Sequence, residues 1–240
     1  MDRSNAPRIS DRRPSLRAVA AWLGLLLVLP AGAALAHGVA DRDGAFLASN
    51  VGLALGPYAY LGAKHMVTGY DHLLFLAGVI FFLYRMRDVV TYVTLFALGH
   101  SLTLLVGVLG GIYANPYLID AVVGFSVVYK GFDNLGGLRA FGLRLNSRAA
   151  VLAFGLCHGF GLATKLQSET LSREGLVGNI VAFNVGVELG QLVGLTFLLL
   201  LFTAWRASGR FRRHAYVANT ILMVAGFVLV GYQLVGYFQS

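Results

Sequence analysis

Two histidines and an aspartate lie close together in the stretch GAKHMVTGYDH, which runs into LLFLAGVIFFLY without a polar break. His65 and His72 are seven residues apart, two turns of an α-helix, so a helix containing both would present them on one face. Asp71 would lie about 100° away on that helix. Divalent first-row transition metals favour imidazole and carboxylate ligands. The stretch therefore predicts a metal site beside an apolar segment.

Polar side chains also interrupt later apolar runs. His100 lies within TLFALGHSLTLLVG and His158 within AFGLCHGFGLA. Asn184, Glu188 and Gln191 have the helical spacing i, i+4 and i+7, so they form one polar stripe. An ionisable group inside a membrane helix costs at least a few kcal/mol and usually faces the interior of a helix bundle. We expect Glu188 to face His100 or His158 across such a bundle.

Imidazoles together with carboxylates are typical of a site for nickel, cobalt, zinc, iron or copper. Cys157 is the only cysteine, which excludes a cysteine-type zinc site, an iron–sulfur cluster and an internal disulfide. A lone buried histidine more often hydrogen-bonds a neighbouring helix, but contributions from four segments favour a shared site. The main predicted ligands are His65, Asp71, His72, His100, His158 and Glu188. Weaker candidates are Asn184, Gln191, Ser101, Asp120 and His37.

The composition predicts an all-α integral membrane protein. Hydrophobic residues make up 57% of the 240 residues and charged residues only 12%, and the mean hydropathy is +0.70. The net charge of +8 does not indicate nucleic-acid binding, because no Lys/Arg tract is interleaved with aromatic residues. The expected partner is the lipid bilayer, and the arginines are better explained by topology.

Residues 1–36 have the pattern of a cleaved secretory signal peptide. Arginines precede the apolar run AVAAWLGLLLVLP, and Ala34 and Ala36 provide the small residues of a cleavage site. The alternative is an uncleaved anchor helix. With cleavage, the mature chain begins at His37, whose free amine and imidazole could form an accessory site for copper or nickel.

Residues 37–240 are predicted to form a single polytopic membrane domain. Spanning the hydrocarbon core takes about 20 apolar residues, and six stretches approach that length. The stretch 37–66, which contains a Gly-Pro pair, is expected to be an extracytoplasmic lead-in. The predicted spans are 67–84, 88–111, 117–135, 149–166, 176–204 and 215–238.

Arginines accumulate in alternate loops, which predicts that those loops are cytoplasmic. The mature N-terminus and the C-terminus are then extracytoplasmic, in a bacterial inner membrane. In this arrangement we expect His65 at the outer mouth, with Asp71 and His72 about 5–10 Å inside and His158 about 12 Å inside. His100 and Glu188 would lie near mid-membrane. The predicted ligands thus form a descending series.

The chain resembles the HupE/UreJ family of nickel permeases. His65, five further residues and the pair Asp71-His72 followed by LLFL match the family's first signature, and LGHSLTL, FGLCHGFGLA and FNVGVELGQ resemble its second branch, over about residues 57–204. The resemblance implies a six-helix bundle with a signal peptide, a role in nickel or cobalt uptake, and functional roles for His65, Asp71 and His72. The family's fourth-helix signature has a further His and a Glu where this chain has Gly155 and Gly161.

Three functions fit these observations. The first is a permease for a divalent transition metal, with nickel or cobalt favoured, and no Walker motif couples it to ATP. The second is a membrane-embedded metalloenzyme or metal-insertion factor that holds a fixed ion in the same cluster. The third is an assembly factor whose polar residues only join helices. Lys130 and Asp133, three residues apart, are predicted to pair in that structural sense.

Overall fold

The computed structural model describes residues 52–168 and 174–240. The predicted signal peptide, its cleavage site and His37 lie outside these residues. The described chain is helical, with helices α1 Leu55–Thr68, α2 Tyr70–Ile80, α3 Met86–Gly110, α4 Pro116–Asn134, α5 Gly137–Ala140, α6 Ser147–Ser168, α7 Leu176–Ala207 and α8 Phe211–Gln239. Helices α3, α4, α6, α7 and α8 lie close to the predicted spans.

The start of the predicted first span, residue 67, is wrong. Helix α1 begins at Leu55, twelve residues earlier, and α2 continues after a break at Gly69, where φ is −72° and ψ is 92°. Pro57 does not interrupt α1, because it lies in the first turn, where the backbone N–H has no helical acceptor to lose. Most of the expected lead-in described by the structure is therefore helix, and α1 and α2 together form a discontinuous helix.

Glycines allow three pairs of helices to pack closely. Gly62 and Gly186 place the backbones of α1 and α7 against each other in parallel, and Gly99 and Gly159 do the same for α3 and α6. Helix α4 packs antiparallel to α8, with Gly131 facing the start of α8. No hydrophobic effect drives helices together inside a membrane, so their association depends on close packing. Small residues at the contact allow the two backbones to approach. Helix α2 lies among these pairs and packs mainly on α4.

Four helices of the described residues are long and apolar enough to cross a membrane, namely α3, α6, α7 and α8. Helix α2 is a shorter apolar helix. Helix α4 has 19 residues but carries Asp120, Lys130 and Asp133. Large apolar side chains on the outer faces of α7 and α8 are exposed, as a lipid environment requires. The chain is therefore a multi-pass membrane protein.

The bundle has one end rich in arginine. Arg206 donates two hydrogen bonds across to α2, to the carbonyl oxygens of Ile80 (3.0 Å) and Phe81 (2.7 Å). Asn134, at the end of α4, donates to the carbonyl of Gly78 at 2.8 Å, so α2, α4 and α7 finish together. The connections at this arginine end carry Arg85, Arg87, Arg139, Arg144, Arg148, Arg206, Arg210, Arg212 and Arg213. The opposite end, where Gly175 packs against Gly52, is called the Gly175 end.

Candidate metal centre

Four histidines from four helices form one cluster around His72. The ring centre of His72 lies 5.2 Å from that of His65, 5.6 Å from that of His100 and 4.8 Å from that of His158. His72 is 3% exposed, and His100 and His158 are each 1% exposed. The sequence-predicted histidines of the apolar segments are thus brought together, and we call these four the histidine cluster.

The expected descending series of ligands is wrong. His65 lies ten residues after the start of α1, about 15 Å along its axis, rather than at a helix mouth. His100 is the fifteenth of 25 residues in α3, and His158 is the twelfth of 22 in α6. Because α1 begins earlier than predicted, His65 lies inside the bundle with its ring centre 5.2 Å from that of His72, and the histidines form one cluster rather than a series of separate steps.

Asp71 determines which nitrogen of His72 carries the proton. The Asp71 Oδ1 atom lies 2.8 Å from His72 Nδ1 and also accepts a hydrogen bond from the His72 backbone N–H at 2.8 Å. An ionised carboxylate can only accept, so Nδ1 is the protonated nitrogen. The lone pair of His72 is then on Nε2, which is buried and has no hydrogen-bond partner. A carboxylate behind a histidine in this way is a common support for a metal ligand.

Ser126 plays the corresponding role for His158, and sequence analysis missed it. The Ser126 hydroxyl donates its proton to the Val123 carbonyl at 2.6 Å, so its oxygen accepts from His158 Nε2 at 3.1 Å. The lone pair of His158 is therefore on Nδ1, which is buried and has no partner. A single serine in the apolar run VVGFSVVY was the available sequence signal. That signal indicates a buried polar residue, but it does not indicate that the residue contacts His158.

The remaining rings add further buried nitrogens without partners. These are Nε2 of His65 and both Nδ1 and Nε2 of His100. Buried polar atoms in native proteins are nearly always hydrogen-bonded, so several buried nitrogens without partners in one place need an explanation. Each neutral imidazole has one lone pair, and the cluster therefore offers four soft nitrogen donors with a carboxylate behind one of them.

The separations of the other three rings from His72 are close to those of two imidazoles that share one ion. Two imidazoles that bind one metal ion tetrahedrally at about 2.0–2.1 Å have ring centres about 5 Å apart. The separations around His72 lie on both sides of that value. Within the described residues, no three His, Cys, Asp or Glu side chains are already arranged to hold a metal ion. Binding therefore requires the rings to turn toward a common point.

Aromatic side chains isolate the cluster from water. Phe75 and Phe96 lie 5.3 Å and 5.1 Å from the His158 ring, and Phe96 also contacts the His72 ring at 6.2 Å. Both phenylalanines are at most 1% exposed. In such a low-dielectric environment, burying a nitrogen without a hydrogen-bond partner costs free energy. Its electrostatic attraction to a cation is also stronger there than in water.

Glu188 faces α3, the helix that carries His100, but it lies outside the buried interior. Its side chain is exposed, and its Oε1 accepts a hydrogen bond from Ser101 Oγ at 3.4 Å. Asn184 and Gln191 are buried and donate to the backbone carbonyls of Ser101 (3.2 Å) and Val93 (3.3 Å). The stripe does point one way, but it points at α3. Glu188 lies at the outer edge of that contact because it is offset by about 40° from Asn184.

The charged residues of α4 form two separate ion pairs. Lys130 donates to Asp133 Oδ2 at 2.7 Å, which confirms the predicted pairing. Asp120, a weaker candidate ligand, is paired with Lys165 of α6, with Lys165 Nζ 2.7 Å from Asp120 Oδ2. Asp120 therefore does not belong to the histidine cluster. It lies between the cluster and the Gly175 end.

Comparison with known proteins now adds to this geometry. A profile of the family described as "HupE / UreJ protein" matches residues 41–240. The chain belongs to the HupE/UreJ family. No curated protein and no solved structure matched it. The matched range includes all four residues of the histidine cluster. It confirms the family resemblance that the sequence motifs indicated.

Proposed function

We propose that this HupE/UreJ protein is a membrane permease for a divalent transition-metal ion, with nickel or cobalt the preferred cargo. The single observation that carries the proposal is the set of buried imidazole nitrogens without partners around His72. Membership of a family associated with nickel and cobalt transport supports the choice of cargo. The proposed cargo ligands are His65, His72, His100 and His158, with Asp71 holding His72.

The proposed topology has six membrane spans, the first formed by α1 and α2 together. These two helices and the break contain 26 residues, about 39 Å of helix, which is enough to cross the hydrocarbon core. The positive-inside rule favours a cytoplasmic location for the arginine end. The Gly175 end is then extracytoplasmic, and residues 1–36 direct insertion into a bacterial inner membrane.

The chemistry of the cluster suits a transported ion. Neutral imidazoles can replace part of the hydration shell of a nickel or cobalt ion without adding a net charge to the apolar interior. Asp71 compensates part of the ion's charge through His72. A fixed metal site in the same cluster is the alternative that measurement must distinguish.

The test is metal accumulation in cells that express wild type, His72→Ala or His214→Ala. His214 is the matched control because it is the described histidine outside the cluster, near the start of α8. Nickel, cobalt, zinc, copper, iron and manganese are measured by elemental analysis and normalised to membrane-inserted protein. We expect His72→Ala to lose nickel or cobalt accumulation and His214→Ala to retain it. Equal accumulation by the two variants would refute the proposal, and one tightly retained ion per purified chain, without uptake, would favour the fixed site.

A further inference from the structure

The Asp120–Lys165 ion pair lies between the histidine cluster and the Gly175 end. Lys165 follows His158 by seven residues on α6, so it lies on the same face, about 10 Å closer to that end. Asp120 occupies the level between them. A Cβ atom at Gly161 would lie only 3.3 Å from Asp120 Oδ1, so the carboxylate rests on α6 one turn beyond His158.

The charge of Lys165 acts on the cluster as well as on Asp120. Lys165 lies two helical turns from His158 on the same face of α6, close enough for its charge to act on the cluster through an apolar interior. The positive charge of Lys165 raises the energy of a metal ion bound at the histidines. It also occupies the Asp120 carboxylate, which a metal ion entering from the Gly175 end would meet first. The side chain of Lys165 is 27% exposed while that of Asp120 is 10% exposed. Lysine can therefore swing its flexible stem outward while the carboxylate stays in place.

We propose that the Asp120–Lys165 pair is the extracytoplasmic gate of the metal route, in which the incoming ion displaces Lys165 from Asp120 before it reaches the histidine cluster. Asp120 is then a transient oxygen ligand, and Lys165 is a tethered competitor for it. This inference rests on the proposed permease function and assigns an access step to the same site. A divalent ion prevails over the ammonium because it carries twice the charge.

The test measures initial rates of Co²⁺ entry into proteoliposomes over a range of free Co²⁺ concentrations. Lys165→Gln keeps a polar side chain that is one atom shorter but removes its charge, so we expect KM to fall by about 3- to 10-fold, as expected for loss of one partly exposed ion-pair competitor. Lys165→Arg should keep KM at or above the wild-type value, because a guanidinium holds a carboxylate at least as well. Asp120→Asn should raise KM.

Lys130→Gln is the matched control because it breaks the other ion pair of α4, which has the same 2.7 Å contact but lies near the arginine end. A folding defect would lower the amount of inserted protein and the maximal rate, whereas it would not improve apparent affinity. The gate is refuted if Lys165→Gln has the KM of wild type or of Lys130→Gln while wild type transports Co²⁺. Failure of wild type to bind or transport either Co²⁺ or Ni²⁺ would refute the permease function and the gate together, so the two failures are distinguishable.

Discussion

At the residue scale, two supporting side chains decide which imidazole nitrogens are available. Asp71 and Ser126 each accept a hydrogen bond from one ring nitrogen and leave the lone pair of the other nitrogen without a partner. His72 and His158 are the closest pair in the cluster, with ring centres 4.8 Å apart. The protein thus fixes the protonation of these two rings before any ion arrives, which lowers the cost of binding.

Ser126→Ala should weaken Co²⁺ binding to purified protein by about 10-fold, within the range typical of residues that support a metal ligand. Without the hydroxyl, nothing in the structure holds the His158 proton on Nε2. Thr164→Ala is the matched control, because Thr164 is also buried on its helix and donates to the carbonyl three residues earlier, that of Gly161. Titration calorimetry gives both affinities, and equal losses in the two variants would assign Ser126 a structural role only.

Asp71→Ala should weaken binding more than Asp71→Asn. An asparagine carbonyl can still accept from His72 Nδ1 and orient the ring, but it lacks the negative charge that offsets the ion. We expect a loss of about 10-fold for Asn and about 100-fold for Ala, at unchanged amounts of inserted protein. The same dissociation constant for Asp71→Ala and wild type would show that His72 does not depend on this carboxylate.

At the element scale, the break between α1 and α2 positions the Asp71–His72 pair. A Cβ atom at Gly69 would lie 2.9 Å from the His65 carbonyl oxygen, 3.0 Å from His72 Nδ1 and 3.2 Å from Asp71 Oδ1. The φ of −72° is accessible to any residue, so only the close approach requires glycine here. The break places the backbone of Gly69 directly against the Asp71–His72 hydrogen bond, where a side chain has no room.

Gly69→Ala should therefore reduce metal affinity while the protein still inserts into the membrane. The added methyl group pushes on the Asp71–His72 hydrogen bond, and a misplaced ligand typically costs 10-fold or more in affinity. Gly56→Ala is the control, because a Cβ there has no atom within 4 Å. Dissociation constants for Co²⁺ measured in detergent compare the two variants. Wild-type affinity for Gly69→Ala would mean that the break has no role in placing the site.

The sequence predicted most elements because membrane helices need long apolar runs, and five of the six predicted spans lie close to observed helices. The first element was misplaced because Gly56-Pro57 was interpreted as a breaker, although proline is compatible with a first helical turn. Gly69, which does mark a break, gave no distinguishing local signal. Its role depends on contacts with His65, Asp71 and His72 that exist only in the folded bundle.

At the scale of the whole molecule, the pairing of helices determines which polar residues meet. The sequence predicted that the histidines of four segments converge, since an ionisable group in an apolar segment must face inward. It could not predict that the ring centre of His65 lies 5.2 Å from that of His72, because that depends on where α1 begins and how it packs against α7. Glu188 shows the same limit, since a polar stripe identifies the face that meets a neighbouring helix but not how deeply each of its side chains is buried.

The most direct test of the central claim, that the histidine cluster binds a transition-metal ion as cargo, is X-ray absorption spectroscopy. Wild-type protein and His72→Ala are reconstituted in nanodiscs with one equivalent of Ni²⁺. The account predicts that wild type shows at least three imidazole ligands at about 2 Å and that His72→Ala shows fewer or leaves the ion fully hydrated. A wild-type ion surrounded only by water, or the same imidazole count in both proteins, would contradict it.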